Sequence, residues 1–256
     1  MLNFTEAGRG QPAIVLMHYY GGSHHEWDLV VPQLGERHRV IAVDTPGYGG
    51  SRDVPGYSIQ QMADTFERLL MSLNLESFVL VGHSMTGKVA LVLASRRPAG
   101  LRGLVLVTPS PLASQPMKPG EREQMLAQHN TRESAEKFVD SVTLHRLPDS
   151  LREPMIQSAI DCSPEAWLAW ADRGSKEDWS ELVGIVEYPT LVVAGAEDPS
   201  LPASLQERLT MPHLARGRIT VVAQTGHLIP LEQPDRLSRL ILDFIEELEH
   251  DETRTQ

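Results

Sequence analysis

The hydrophobic pattern of the chain contains six short apolar runs that do not alternate with polar positions. They occupy residues 14–17, 40–43, 78–81, 104–107, 191–194 and 219–222. A strand that is apolar on both of its faces is buried on both, which is typical of a parallel sheet covered by helices. We therefore expect these runs to form the strands of a mostly parallel sheet.

Most of these runs are separated by segments with the period of an amphipathic helix. Residues 57–73, 85–96 and 234–248 repeat apolar side chains every three or four positions. An alternation of strands and helices of this kind predicts a doubly wound α/β fold. The residues that precede the first run leave room for one further short strand.

Residues 111–183 interrupt the alternation. They contain no strand-like run, and they show helical patterns around residues 121–129, 132–142, 151–160 and 164–171. We interpret them as a helical insertion between the fourth and fifth sheet runs, which should emerge at one edge of the sheet and could fold across the ends of the strands. The sheet-forming core then comprises residues 1–110 and 184–256.

Composition and charge exclude some classes of function. The 256-residue chain carries a formal net charge of −11. Because nucleic-acid binding draws its affinity mainly from Lys and Arg, we expect no nucleic-acid partner. The first 110 residues hold nine basic and nine acidic residues and are neutral. The acidic balance therefore does not indicate a cationic substrate.

The single cysteine, Cys162, cannot form an internal disulfide, so the fold depends on its core alone. No candidate base lies near Cys162 in the sequence, and we expect it to be a small buried hydrophobe. The N-terminus lacks the basic flank and apolar stretch of a signal peptide, and no run approaches the about 18 apolar residues of a membrane span. These features predict a soluble cytoplasmic protein without membrane association, and they do not bear on its oligomeric state.

One motif carries a candidate nucleophile. Gly82-His83-Ser84-Met85-Thr86-Gly87 follows directly on the run at residues 78–81 and directly precedes a helical pattern. A serine on a sharp strand-to-helix turn exposes its hydroxyl beyond the end of the strand, near the positive end of the following helix. The alternative is an ordinary serine in a glycine-containing turn, because the six residues alone do not distinguish the two.

A serine hydroxyl is a weak nucleophile and needs a base that is oriented by a third group. His227 lies just past the last apolar run, and Asp198 lies just past the fifth. Both positions are beyond the carboxyl ends of strands, where parallel sheets build their sites. We therefore predict that Ser84, Asp198 and His227 form a catalytic triad, with Glu197 as the alternative to Asp198.

Acyl transfer also needs donors for the developing oxyanion, usually two backbone N–H groups. We expect one from Met85, the residue after the nucleophile, and the other from Tyr20. Tyr20 lies in the loop after the first apolar run, where Gly21 and Gly22 let the backbone approach a ligand closely.

Together these motifs resemble the α/β-hydrolase superfamily over nearly the whole chain. Residues 82–85 resemble its nucleophile elbow and residues 18–22 its oxyanion loop, while residues 44–51 resemble the Asp-x-Pro-Gly-x-Gly-x-Ser turn of its lid-bearing, esterase-like members. The resemblance implies that residues 111–183 form a helical cap. It also implies, since the candidate nucleophile is Ser84 and not aspartate, that the substrate is an ester, thioester, lactone, amide or a carbon–carbon bond beside a ketone.

Three features depart from the superfamily pattern. Thr86 stands where the elbow usually has its second glycine and puts a β-branched side chain into a tight turn, where Gly87 could relieve the crowding. Tyr19 replaces the glycine that normally follows the loop histidine. The short segment before the first run accommodates one strand, where the superfamily usually has a pair.

Aromatic residues suggest where a substrate binds. Helix packing is one explanation for Trp167 and Trp170, which lie three apart on one helix face. The other is an apolar acyl or aromatic pocket between cap and sheet. We predict a pocket for a small-molecule substrate that is lined by Tyr19, Trp27, Trp167, Trp170 and Leu228.

We expect no metal site and no cofactor. His24, His25 and Asp28 lack the spacing of a dedicated metal site, and the chain has neither a dinucleotide fingerprint nor a Walker loop. The function that we expect is hydrolysis of a small apolar or aromatic carboxylic ester through an acyl-enzyme on Ser84. Alternatives are a carbon–carbon bond hydrolase or lactonase with the same triad, and a small-ligand receptor on this fold with slow turnover.

Overall fold

The computed structural model of the chain describes residues 1–127 and 131–255, and side chains as far as residue 250. Within this part of the chain, seven strands form one sheet in the order β1-β3-β2-β4-β5-β6-β7. The strands are β1 Phe4–Ala7, β2 Ala13–Met17, β3 Val40–Val43, β4 Phe78–His83, β5 Leu101–Val107, β6 Val186–Gly195 and β7 Leu214–Val222. All six apolar runs lie in β2 to β7, and the neighbouring pairs are parallel except that of β1 with β3. The prediction of a mostly parallel sheet is confirmed.

Helices alternate with these strands. They are α1 Val31–Leu34, α2 Ile59–Leu73, α3 Met85–Ser95, α4 Glu121–Ala127, α5 Arg132–Ser141, α6 Asp149–Asp161, α7 Pro164–Leu168, α8 Ser180–Val183, α9 Ala203–Leu209, α10 Ile229–Glu232 and α11 Pro234–Thr255. In the described part of the chain, none of them combines the length and the apolar composition needed to cross a membrane.

The sheet is covered on both faces, as a doubly wound fold requires. From β2, Val15 packs in one core cluster with Phe66 of α2, whereas Ile14 packs in a second cluster with Ile241 of α11. Neighbouring side chains of a strand point to opposite faces, so an uninterrupted apolar run supplies both clusters. The apolar runs do not alternate with polar positions because the strands are buried on both faces of the sheet.

Residues 111–183, which we call the helical segment, connect β5 to β6 and contain α4 to α8. The predicted helices at 132–142 and 151–160 correspond to α5 and α6. The predicted helix at 121–129 corresponds to α4, although its last two positions lie outside the described residues. The predicted helix at 164–171 is divided, because α7 ends at Leu168 and a π-helical turn, Ala169–Gly174, follows.

Lys88 of α3 fastens the helical segment to the core. Its side chain is fully buried, and Nζ donates to the carbonyl oxygens of Ala113 at 3.1 Å, Gly174 at 3.4 Å and Glu177 at 2.9 Å. Burial lowers the pKa of Lys88 to about 8. Since Ala113 and Glu177 lie near the two ends of the helical segment, one ammonium group holds both of its stems.

Candidate active site

Ser84 occupies the sharp turn between β4 and α3. Its backbone has φ 53° and ψ −115°, in the left-handed half of φ space that costs free energy for a residue with a Cβ. Hydrogen bonds from Ser84 N–H to Val107 O and from Ser110 N–H to Ser84 O, both 2.9 Å long, hold this conformation. A Cβ on Gly82 would lie 2.7 Å from the carbonyl oxygen of Thr86, so the turn requires glycine there.

Thr86 is accommodated in the turn by its hydroxyl group. Oγ1 accepts the N–H of His83 at 3.0 Å and donates to the carbonyl oxygen of Met17 on β2 at 2.8 Å. Gly87 lies against Pro109, since a Cβ on Gly87 would lie 2.5 Å from Cβ of Pro109, so this position has no room for a side chain. The hydroxyl of Thr86 therefore connects the turn to β2.

The structure brings Asp198 and His227 together. Asp198 Oδ2 lies 2.7 Å from His227 Nδ1, and Asp198 Oδ1 accepts the N–H groups of Ser200 at 2.8 Å and Leu201 at 2.9 Å. The carboxylate of Glu197 accepts a different donor, the N–H of Thr225, at 2.9 Å. Of the two candidate acids, Asp198 is thus the one that orients the imidazole.

The two groups alter each other's pKa. Burial opposes ionisation of Asp198, but the charge and hydrogen bond of His227 hold the pKa of Asp198 below its ordinary value. Burial likewise opposes protonation of His227, yet the Asp198 carboxylate raises the pKa of His227 above its ordinary value of 6.5. This pair therefore stabilises an imidazolium at His227, which is the form that a general base takes after accepting a proton.

Ser84 and His227 face the same cavity, which has a volume of about 530 Å³ between the sheet and the helical segment. Aromatic side chains form part of its wall, together with polar and charged ones such as Lys118, Glu121 and Lys137. The described aromatic lining residues are Tyr19, Tyr20, Phe138, Trp167 and Trp170. A candidate nucleophile and a candidate base on one cavity form an arrangement suited to attack on a bound substrate.

The loop after β2 is fixed by buried side chains. His18 Nδ1–H donates to the carbonyl oxygen of Tyr19 at 2.7 Å, and His18 Nε2 accepts the N–H of Thr45 at 3.0 Å. Burial lowers the pKa of His18, which suits this neutral tautomer.

Tyr20, one of the two predicted oxyanion donors, is held by its side chain, because its OH donates to the carbonyl oxygen of Trp167 at 3.0 Å. Met85, the other predicted oxyanion donor, is the first residue of α3, where backbone N–H groups have no carbonyl partner within the helix.

Two of the five residues predicted to line the pocket do not line it. Tyr19, Trp167 and Trp170 do, but Trp27 and Leu228 are absent from the described lining. Trp27 is fully buried in the core cluster on the other face of the sheet, with Ile14. It belongs to the 3₁₀ turn His24–Trp27, which directs it away from the cavity. Leu228 is buried beside Leu231 in the core, where the chain turns into α10.

Glu232, which no motif in the sequence singled out, holds the His227 loop. Its carboxylate accepts the N–H groups of Gly226 at 3.1 Å and Leu228 at 3.2 Å, and also that of Leu144 in the helical segment at 2.9 Å. His227 N–H donates to the carbonyl oxygen of Val142 at 2.9 Å. The loop that carries His227 is therefore bonded to the middle of the helical segment. No spacing in the sequence indicates this contact.

Asp44 also has a structural function. It accepts hydrogen bonds from Asn3 Nδ2 at 2.7 Å, Gly50 N–H at 2.8 Å and His24 N–H at 2.7 Å. Although burial opposes ionisation, the donors from His24 and the nearby imidazoles hold the pKa of Asp44 well below its ordinary value. With His24 bound to Asp44 and His25 to Asp28, the described residues include no group of three or more His, Cys, Asp or Glu side chains that could hold a metal ion.

The chain is similar to known proteins in sequence and in fold. The sequence model of a family described as "Alpha/beta hydrolase family" matches residues 14–240. A dihydrolipoyllysine-residue acetyltransferase component of the acetoin cleaving system from Pseudomonas putida is 27% identical over 94% of this chain, which spans 65% of that protein's length. A 2-hydroxymuconate semialdehyde hydrolase from Pseudomonas sp. (strain CF600) is 29% identical, and the match covers 96% of this chain and 90% of the length of that hydrolase.

Among solved structures, a thermophilic esterase from Thermogutta terrifontis, with malate bound, has the same fold. It is 27% identical, with a TM-score of 0.81, and the match covers 96% of this chain and 93% of the esterase.

Proposed function

This chain belongs to the alpha/beta hydrolase family, and on that premise we propose that it is a serine hydrolase which cleaves a small apolar or aromatic carboxylic ester. The observation that carries the proposal is the 2.7 Å contact between Asp198 Oδ2 and His227 Nδ1, with His227 and Ser84 on one aromatic-lined cavity. The similarity to the Thermogutta terrifontis esterase supports an ester as the substrate.

In the proposed reaction, Asp198 holds His227 in the tautomer that leaves Nε2 free to accept a proton. His227 takes the proton of Ser84 as Oγ attacks the ester carbonyl carbon, and the N–H groups of Met85 and Tyr20 stabilise the resulting oxyanion. The intermediate expels the alcohol, which receives the proton from His227, and Ser84 is left acylated. Water, deprotonated by His227, then releases the carboxylic acid and restores Ser84.

The cavity supports a small acyl group. Tyr19, Phe138 and Trp170 offer apolar surface, and about 530 Å³ is enough for a short aliphatic or single-ring acyl chain. In this proposal the helical segment acts as a cap that covers the acyl group and excludes bulk water from the oxyanion.

A carbon–carbon bond hydrolase or lactonase with the same triad is the second candidate. The 29% identity to a hydrolase that acts on 2-hydroxymuconate semialdehyde favours it, since the name of that substrate contains no ester group. Nucleophile, base and oxyanion donors would keep their roles, and the leaving group would be a carbon acid or a tethered alcohol.

Labelling and turnover test the proposal. The wild type, Ser84→Ala and a control, Ser95→Ala at the far end of the same helix, are incubated with a fluorophosphonate probe and with p-nitrophenyl esters of graded chain length. We expect wild type and Ser95→Ala to be labelled and to hydrolyse short esters, and Ser84→Ala to do neither. If the wild type is neither labelled nor faster than Ser84→Ala on any ester, the hydrolase proposal fails and a ligand receptor with slow turnover is the remaining interpretation.

A further inference from the structure

Two buried titratable residues lie beside the proposed triad without taking part in it. Glu26 belongs to the 3₁₀ turn after β2, and His83 is the last residue of β4, directly before Ser84. Their side chains are 1% and 0% exposed, and Glu26 Oε1 lies 3.1 Å from His83 Nδ1. The positions of the protons decide whether this buried pair is charged or neutral.

The hydrogen bonds limit the arrangements. His83 Nε2 lies 3.0 Å from the carbonyl oxygen of His227, and a carbonyl oxygen only accepts, so Nε2 carries a proton. His83 Nδ1 then either carries a second proton, which makes an imidazolium facing a carboxylate, or it is unprotonated and accepts a hydrogen bond from the O–H of a neutral Glu26. The other oxygen, Glu26 Oε2, accepts the N–H of Tyr19 at 3.0 Å in both cases.

Burial favours the neutral pair. Separated charges without solvent contact carry a large desolvation cost, which one hydrogen bond does not offset. Besides His83, which contacts it, the titratable groups that interact electrostatically with Glu26 include the imidazoles of His18 and His227, which oppose its neutral form, and the phenol of Tyr19. With these around it, burial raises the pKa of Glu26 to about 8 and lowers the pKa of His83 well below its ordinary value.

We propose that Glu26 is a positioning residue which acts as a neutral carboxylic acid, donating its O–H to His83 Nδ1 and accepting the N–H of Tyr19. This inference rests on the proposed function. The acid joins the loop that carries Tyr20 to the strand end that carries Ser84, and His83 Nε2–H extends the chain to the carbonyl of His227. Three hydrogen bonds in a chain thus connect three loops of the site, and the proton on Glu26 supplies the central one.

The neutral state also serves the proposed base. The ring centroids of His83 and His227 lie 5.1 Å apart. A charged His83 would oppose the positive charge that His227 acquires when it takes the Ser84 proton. A neutral His83, fixed by Glu26, leaves Asp198 to stabilise that charge without a competing cation.

Glutamine tests the protonation state because its amide copies the neutral acid. In Glu26→Gln the amide N–H can donate to His83 Nδ1 and the amide oxygen can accept from Tyr19, whereas Glu26→Ala removes both contacts. We expect kcat/KM for a p-nitrophenyl ester to stay within about threefold of wild type in Glu26→Gln at pH 7 and to fall by about a hundredfold in Glu26→Ala. Rescue by the amide separates a required donor from a required negative charge.

The pH profile supplies a second readout. A group with a pKa of about 8 keeps about a tenth of its protons one pH unit higher, so the wild type should lose about tenfold in kcat/KM relative to Glu26→Gln at pH 9. Glu36→Gln, the same change at an exposed position, should follow the wild type throughout. A purely structural role for Glu26 would change the level of activity and leave this ratio constant with pH.

Infrared difference spectroscopy of wild type minus Glu26→Gln reads the proton directly, without any substrate. At pH 7 we expect a buried carboxylic-acid carbonyl band; a carboxylate band in its place overturns the inference. So does a Glu26→Gln variant as impaired as Glu26→Ala while the wild type is active. A wild type that neither labels with fluorophosphonate nor hydrolyses esters refutes the proposed function instead, and the infrared band still decides whether Glu26 is neutral.

Discussion

Asp198 and His227 are joined by a 2.7 Å contact between Oδ2 and Nδ1, while the adjacent carboxylate of Glu197 accepts the N–H of Thr225. Asp198→Asn should therefore lower kcat by about 10⁴-fold, because the amide cannot hold the required tautomer of His227. Glu197→Gln should retain activity within about threefold, since its partner is a backbone N–H at the loop surface. Rates of p-nitrophenyl ester hydrolysis check both, and a larger loss in Glu197→Gln would reverse the assignment of the acid.

The pH dependence of turnover follows from the raised pKa of His227. Only neutral His227 can accept the Ser84 proton, so kcat/KM should rise with pH through an inflection that lies higher than the ordinary 6.5. In the wild type it should fall again toward pH 9 as Glu26 ionises, whereas in Glu26→Gln it should stay level. Asp198→Asn removes the charge that raises this pKa and should move the inflection to lower pH. A shared inflection in both proteins would show that a different group limits the reaction.

Thr86→Val should destabilise the protein by about 1 to 3 kcal/mol, because it leaves the buried His83 N–H and Met17 carbonyl without their hydroxyl partner. Thr86→Ser keeps the hydroxyl and should lose less. Urea unfolding measures both free energies. A loss in Thr86→Ser with none in Thr86→Val, which keeps the methyl group, would mean that the methyl group, and not the hydroxyl, stabilises the turn.

The stability of the wild type relative to Glu26→Gln should depend on pH with a defined sign. The folded-state pKa of Glu26, about 8, lies above its ordinary 4.5, so between these values the folded protein keeps a proton that the unfolded chain releases. The free energy of unfolding of the wild type should fall relative to the variant by about 1.4 kcal/mol per pH unit from pH 4.5 to about 8. Urea titrations at a series of pH values would show parallel curves if Glu26 were ionised in the fold.

Phe138→Ala should shift the preference toward longer acyl chains. Phe138 packs against Tyr19 and Trp167, with ring centroids 6.3 Å and 5.3 Å away, and its replacement by alanine enlarges the cavity. We expect the ratio of kcat/KM for a long over a short p-nitrophenyl ester to rise about tenfold. Leu182→Ala, at an exposed side chain of α8, is the control, and an unchanged ratio in Phe138→Ala would place the acyl group elsewhere.

The sequence predicted those features that depend on period and order along the chain. Ser84, Asp198 and His227 follow the ends of parallel strands, and parallel strands present their carboxyl ends together. The side-chain directions of Glu26 and Trp27 could not be predicted in this way. They are neighbours in a 3₁₀ turn, yet Glu26 points to His83 and Trp27 into the opposite core cluster, since a single turn has no side-chain period that would reveal its directions.

The anchoring of the helical segment determines how small molecules exchange with the cavity. Lys88 donates hydrogen bonds to both stems of the helical segment. Glu232 and His227 are hydrogen-bonded to the middle of the segment, at Leu144 and Val142. Because the segment is hydrogen-bonded at both stems and in its middle, we expect that it does not open as a rigid body. Exposed lining residues before and within α4 include Lys118, Gly120 and Gln124, and we expect small molecules to reach the cavity along this side.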